Sequence, residues 1–212
     1  MTAPTMTMNR VIHAAVRRDL ERLSTALDGL ADGDRPRARA LDRAYANLRE
    51  ELTRHHEGED THIWPMLSGV GVDKGLLDTM VSEHHGMADA LEETSVAMDT
   101  LAATGSRVDA DAARASLART RDVVERHLQH EETELEPVLD QFMQSPEWKA
   151  VEKKLRSQPP GVAGRFFAWL TDGMSAENRA FLKTEVPTPV VTVLARVFGR
   201  RYYKDVAPVW RA

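Results

Sequence analysis

Residues 54–67 read RHHEGEDTHIWPML and residues 126–139 read RHLQHEETELEPVL. Set one above the other, they share Arg, His, Glu, an acidic residue, Thr and Pro at the same offsets, so His55, Glu59 and Pro65 answer to His127, Glu131 and Pro137, each 72 positions on. Residues i and i+4 lie on one face of a helix, so each copy aims an imidazole and a carboxylate at a common point. The repeat extends upstream: Val11-Ile-His13 with Leu20 matches Ser82-Glu-His84 with Leu91 at an offset of 71. One duplicated helical hairpin supplies a His and then a His-xxx-Glu pair. Two copies give His13, His55, Glu59, His84, His127 and Glu131, a donor set suited to metal.

Working outward, steps of three and four between apolar residues predict four long helices. The first covers about residues 8–28, with Val16, Leu20, Leu23 and Leu27 beside His13. The second, about 36–64, carries Leu41, Tyr45, Leu48 and Leu52 in line with His55 and Glu59. The third, about 74–102, carries Met80, Met87, Leu91 and Met98 in line with His84, and the fourth carries Leu117, Val124, His127 and Glu131. DGLADGDRP, SGVGVDKG and ATGSRVD punctuate them. The expected fold is all-α, an antiparallel up-down four-helix bundle over residues 1–144 followed by a helical extension over 145–212. Short loops put the six polar residues at one end of the bundle, on core stripes where a charge is costly unless a cation or a partner meets it.

Composition narrows the chemistry. Net charge is −5 over 212 residues, with 42% hydrophobic and 29% charged, which argues for a soluble globular protein and against nucleic acid as a partner. No cysteine is present, so thiolate metal sites, iron–sulfur clusters and cysteine nucleophiles are excluded. The MTAPTMTMNR start has no leader-like apolar core and no run has the length of a membrane span, so the expected location is the cytoplasm. Imidazole and carboxylate donors without thiolate suit a pair of iron ions, with manganese or zinc as weaker fits. Two six-coordinate ions ~3.5–4 Å apart, bridged by two carboxylates and an oxo or hydroxo group, keep about two positions open for dioxygen, peroxide or nitric oxide.

At these residues the chain resembles the hemerythrin-like, or HHE cation-binding, domains. The resemblance rests on His13, His55-xxx-Glu59, His84 and His127-xxx-Glu131 and covers roughly residues 8–143. It implies a four-helix bundle around a non-haem di-iron centre bridged by Glu59 and Glu131. The oxygen-carrying members place a further histidine one turn after His84, where this chain has Ala88, and a His-to-Asp spacing of five on the fourth helix, where this chain has Glu131 at a spacing of four. Simple oxygen carriage is therefore less expected: the resemblance implies a protein that binds dioxygen or reactive small species, with peroxide decomposition, nitric oxide handling and redox or iron sensing left open together, and an iron, oxygen or nitric oxide sensing or binding module without turnover as the alternative.

The remaining polar candidates are assigned supporting roles around the ligands. His56 and His85 lie one step off the stripe, and His62 and Glu134 occupy matching positions three after each Glu. Glu59-Asp-Thr-His62 has the Glu-x-x-His spacing of ferritin-like sites only in the first copy, and His13 and His84 stand where that pattern needs Glu. Beyond residue 145 Trp148, Phe166, Phe167, Trp169, Phe181, Phe198, Tyr202, Tyr203 and Trp210 gather in the extension, with prolines at 159, 160, 187 and 189 cutting it into short helices. Such a tail is expected to fold onto the bundle near the metals, or to serve a homodimer or protein partner.

Overall fold

Asp34, Asp73 and Ser106 each accept a backbone N–H from the residue three further on, at 3.0, 2.9 and 3.1 Å, and each starts a long helix. In a computed structural model, residues 6–211 are described, and among them the regular structure is helical, without a strand. The first residues of the MTAPTMTMNR segment, read above for a leader, lie outside the described range. The helices are α1 (Met8–Asp28), α2 (Arg35–Gly58), α3 (Trp64–Gly69), α4 (Lys74–Thr104), α5 (Arg107–His130), α6 (Glu136–Leu139) and α7 (Pro146–Arg156). The extension adds α8 (Pro160–Thr171), α9 (Ala176–Glu185), α10 (Thr188–Phe198) and α11 (Arg200–Asp205). The all-α class expected from periodicity is what the chain adopts.

Residues Ser24–Gln158 form one compact unit. Within it α4 packs against both α2 and α5, burying Leu41, Tyr45, Leu48 and Leu52 with Met80, Met87, Leu91, Met98, Leu117, Val124 and Leu128. The loops fix the far end. Gly33 N donates to Gly105 O at 2.8 Å and Arg107 N to Asp32 Oδ1 at 2.8 Å, tying the segment before α2 to the two-residue turn between α4 and α5. Gly105 is required there twice over, because its φ is +68° and a Cβ would stand 2.8 Å from the Arg35 backbone N. A small polar network crosses the core: Thr94 Oγ1 meets Ser116 Oγ at 2.8 Å and Thr120 Oγ1 at 2.9 Å, and the Tyr45 hydroxyl donates to Leu91 O. Burial pushes the Tyr45 hydroxyl well above the usual phenol range, so it stays a donor.

Helix α7, beyond the boundary drawn at residue 144, stays with this unit. Its Val151, with Trp148 and Leu155, packs on Ile63, Trp64, Leu67, Leu77, Met80 and Leu135. That apolar cluster lies immediately behind the turns that carry Glu59 and Glu131.

The other unit joins α1 up to Leu23 with the chain from Pro159 onward. Its centre is the fully buried Trp169, whose indole N–H donates to Asp19 Oδ2 at 2.8 Å, while Arg18 Nε and Arg22 Nη1 donate to Asp19 Oδ1 at 2.8 and 3.2 Å. Helices α8 and α10 cross closely at Gly164, where a Cβ would come within 2.4 Å of Phe198 Cβ. Tyr202, buried, donates its hydroxyl to Asp172 Oδ2 at 2.9 Å.

Candidate metal centre

Both ligand-bearing helices widen at the carboxylate. After α2 the chain makes one π-helical turn over Glu59–Ile63, and after α5 another over Glu131–Leu135, each opening on the Glu of the repeated motif. Trp64 N donates to Glu59 O and Glu136 N to Glu131 O, five residues back instead of four. The prolines explain the register. Pro65 and Pro137 have no N–H to give to Thr61 and Thr133 and their rings press on those carbonyls, so the preceding turn expands. The second predicted helix therefore does not stop at 64 but continues through α3 to Gly69, with the bulge as its hinge.

Around these turns the side chains converge. His56, Glu59, His84 and His127 each offer one ligand atom, all within 4.8 Å of one another, and all four are buried. The imidazoles crowd together, with ring centroids of His56 and His84 4.2 Å apart and nearly parallel, and those of His84 and His127 4.7 Å apart. His55 and Glu131 form a neighbouring group whose ligand atoms also lie within 4.8 Å. Glu59 stands between the two groups: its Oε1 is 3.2 Å from His55 Nε2 and its Oε2 is 3.5 Å from His84 Nε2. His13 is fully buried on α1.

Whether a cation fits can be judged from what these atoms lack. Nε2 of His84, Nε2 of His127 and Oε2 of Glu59 are buried and make no hydrogen bond, and unsatisfied polar atoms in a protein interior are rare and costly. Burial, then the negative charge of Glu131, raises the Glu59 carboxyl well above its usual range, and the two carboxyls are close enough to hydrogen-bond. Burial lowers the His127 imidazole below its usual value, which keeps it neutral, the form that binds metal. A divalent cation would satisfy the orphaned lone pairs and quench the repulsion of the paired carboxylates.

Two further acids aim the rings. His84 Nδ1 donates to Asp60 Oδ1 at 2.8 Å, and His127 Nδ1 donates to Glu83 Oε2 at 2.9 Å, while His130 Nδ1 donates to the other oxygen of Glu83 at 2.8 Å. With Nδ1–H held by a carboxylate, each of His84 and His127 turns an Nε2 lone pair inward. Replacing Glu83 by Ala should therefore weaken metal binding by ~10–100-fold with the ligands intact, measured by chelator competition.

The supporting residues named from sequence distribute differently. His56 is buried within the ligand group itself, His62 is half-buried, and His85 and Glu134 are exposed. The rings of His84 and His127 are held by Asp60 and Glu83, to which the sequence reading gave no such role. Their signal was position, since each sits one residue beside a ligand, Asp60 after Glu59 and Glu83 before His84.

Residues 9–139 match the family model of the hemerythrin HHE cation binding domain. No curated protein and no solved structure gives a significant match.

Proposed function

The chain belongs to the hemerythrin HHE cation-binding domain family, and from that premise we propose that it is a non-haem di-iron protein that takes dioxygen or peroxide and decomposes hydrogen peroxide. The observation that carries this reading is the placement of Glu59, whose two oxygens face imidazoles of two different groups, His55 at 3.2 Å and His84 at 3.5 Å. A carboxylate so placed would hold an ion on either side. Glu131, its counterpart in the repeat, would take the same role. His13, the counterpart of His84 in the repeat, would be a further ligand on the pattern the repeat sets. His56 supplies a fifth nitrogen, standing in for the histidine that Ala88 lacks. Seven residues would offer nine donor atoms, five imidazole nitrogens and four carboxylate oxygens, toward the roughly twelve positions of two six-coordinate ions, leaving a few for an outside ligand.

A bound iron pair supplies the two-electron redox change that these side chains lack, so two peroxides can yield two waters and one dioxygen with no external reductant. The protein's own contribution is to hold and exclude. Asp60 and Glu83 keep His84 and His127 in the inward-facing tautomer. Trp64, its ring 5.9 Å from that of His84, and the apolar cluster of Ile63, Leu67, Leu135 and Val151 close the outer side to water.

Metal analysis of protein loaded with ferrous salt, followed by dioxygen evolution on adding peroxide, tests the proposal. Two irons per chain and sustained evolution are expected, with His56→Ala holding less iron than wild type. A single bound ion, or preferential retention of zinc or manganese, would remove the di-iron centre. Two irons without evolution would leave binding or sensing as the role.

A further inference from the structure

Helix α10 leaves one face uncovered. Val190, Val193 and Val197 stand at i, i+3 and i+7, a helical stripe, and are 46%, 56% and 47% exposed. Phe198 and Tyr203 continue the strip, so that five of the seven exposed large hydrophobic side chains among the described residues lie between positions 190 and 203. Apolar side chains gathered in this way mark an interaction surface.

The charges beside it have one sign. From Thr188 to Lys204 the chain carries Arg196, Arg200, Arg201 and Lys204 and no acidic residue, within a protein of net charge −5. All four bases are exposed, and Arg201 reaches its nearest acid, Asp205, only at 3.8 Å.

We propose that this face docks the protein on an anionic phospholipid membrane surface, with the valines and Phe198 entering the headgroup boundary and the basic side chains meeting lipid phosphates. The occupant follows from the charges. A second copy brought face to face would set Arg196, Arg200, Arg201 and Lys204 against themselves, whereas an anionic bilayer complements them and takes up a shallow apolar stripe. The attachment is peripheral, because among the described residues no helix is long and apolar enough to cross a membrane.

Co-sedimentation of the full chain with vesicles of phosphatidylglycerol and phosphatidylcholine, against pure phosphatidylcholine, is the test. Binding is expected to the anionic vesicles, to weaken as salt rises, and to fall at least tenfold in Arg200→Glu/Arg201→Glu and in Val193→Asp/Val197→Asp. All four positions are exposed, so circular dichroism and metal content should match wild type and show that folding is intact. Equal partition onto neutral and anionic vesicles, or none onto either at low salt, would overturn the proposal. So would a dimer in light scattering that the same variants abolish, which would give the face to a second copy.

Discussion

Glu59→Gln should have opposite effects on the metal-free and the metal-loaded protein. Metal binding is expected to weaken by more than the ~10–100-fold that loss of an outer partner costs, because the oxygen facing His55 or the one facing His84 becomes an amide nitrogen without a lone pair to give. The apoprotein, in contrast, should gain stability. Its Glu59 carboxyl is fully buried beside Glu131, and an amide there carries no charge to desolvate and can donate to the Glu131 carboxylate. A gain of about 1–3 kcal/mol is expected in chelator-treated samples. Metal titration and urea unfolding, run on the same preparations with and without chelator, measure both halves. A variant less stable than wild type in both states would show that Glu59 is held by protein contacts rather than by a cation.

The pH dependence of that difference has a definite sign. A carboxyl whose folded value is raised binds its proton more tightly in the native state, so the wild-type apoprotein loses stability as pH climbs past the unfolded value near 4.5 and until the folded value is passed. Gln does not titrate. The stability advantage of the apo variant should thus be small near pH 4 and grow with pH. A flat difference would mean that the folded Glu59 carboxyl is not raised above its unfolded value.

How much of this was legible in the sequence differs residue by residue. The repeated His-xxx-Glu pairs and the 3.6-residue periodicity fix helices to within a few residues, because a core stripe and a ligand stripe obey the same rule. The π turns do not follow that rule. A periodicity count treats Glu59–Ile63 as ordinary helix, and only the proline six residues after each Glu signals that the turn must widen. His56 shows where stripe logic is too narrow. Consecutive helical residues point about 100° apart, which would exclude one of them from a site holding a single ion. The donors here fall into two groups, one containing His56 and the other His55, whose rings are 5.5 Å apart. Asp60 and Glu83 were hidden for the related reason that an outer carboxylate sits off the stripe, half in solvent, and reads as surface charge. The extension was legible only as aromatic and proline-cut, since what organises it is a contact between positions 19 and 169.

That contact underlies the other large effect. Asp19→Ala should destabilise the protein by about 3 kcal/mol, a fall of roughly 6–12 °C in Tm for a chain of this size. Asp19 is almost wholly buried, and each of its oxygens is engaged, Oδ2 by the Trp169 indole at 2.8 Å and Oδ1 by Arg18 and Arg22 at 2.8 and 3.2 Å. Removing the carboxylate strands a buried indole N–H and takes from Arg18 and Arg22 their shared anionic acceptor, leaving Arg18 the carbonyls of Trp169 and Leu170 and Arg22 the more distant Asp172 at 3.8 Å. Those guanidiniums are partly hydrated, with side chains 15% and 25% exposed, which holds the cost to the lower end of what breaking a buried charge pair entails. Asp19→Asn separates the two contributions, because the amide oxygen can still accept from Trp169 while the charge is gone. It should recover part of the loss, and the part not recovered should shrink as salt rises, since salt screens only the guanidinium interaction. If Asn behaves like Ala at every salt concentration, the indole hydrogen bond contributes nothing and the arginines alone hold α1 to α8.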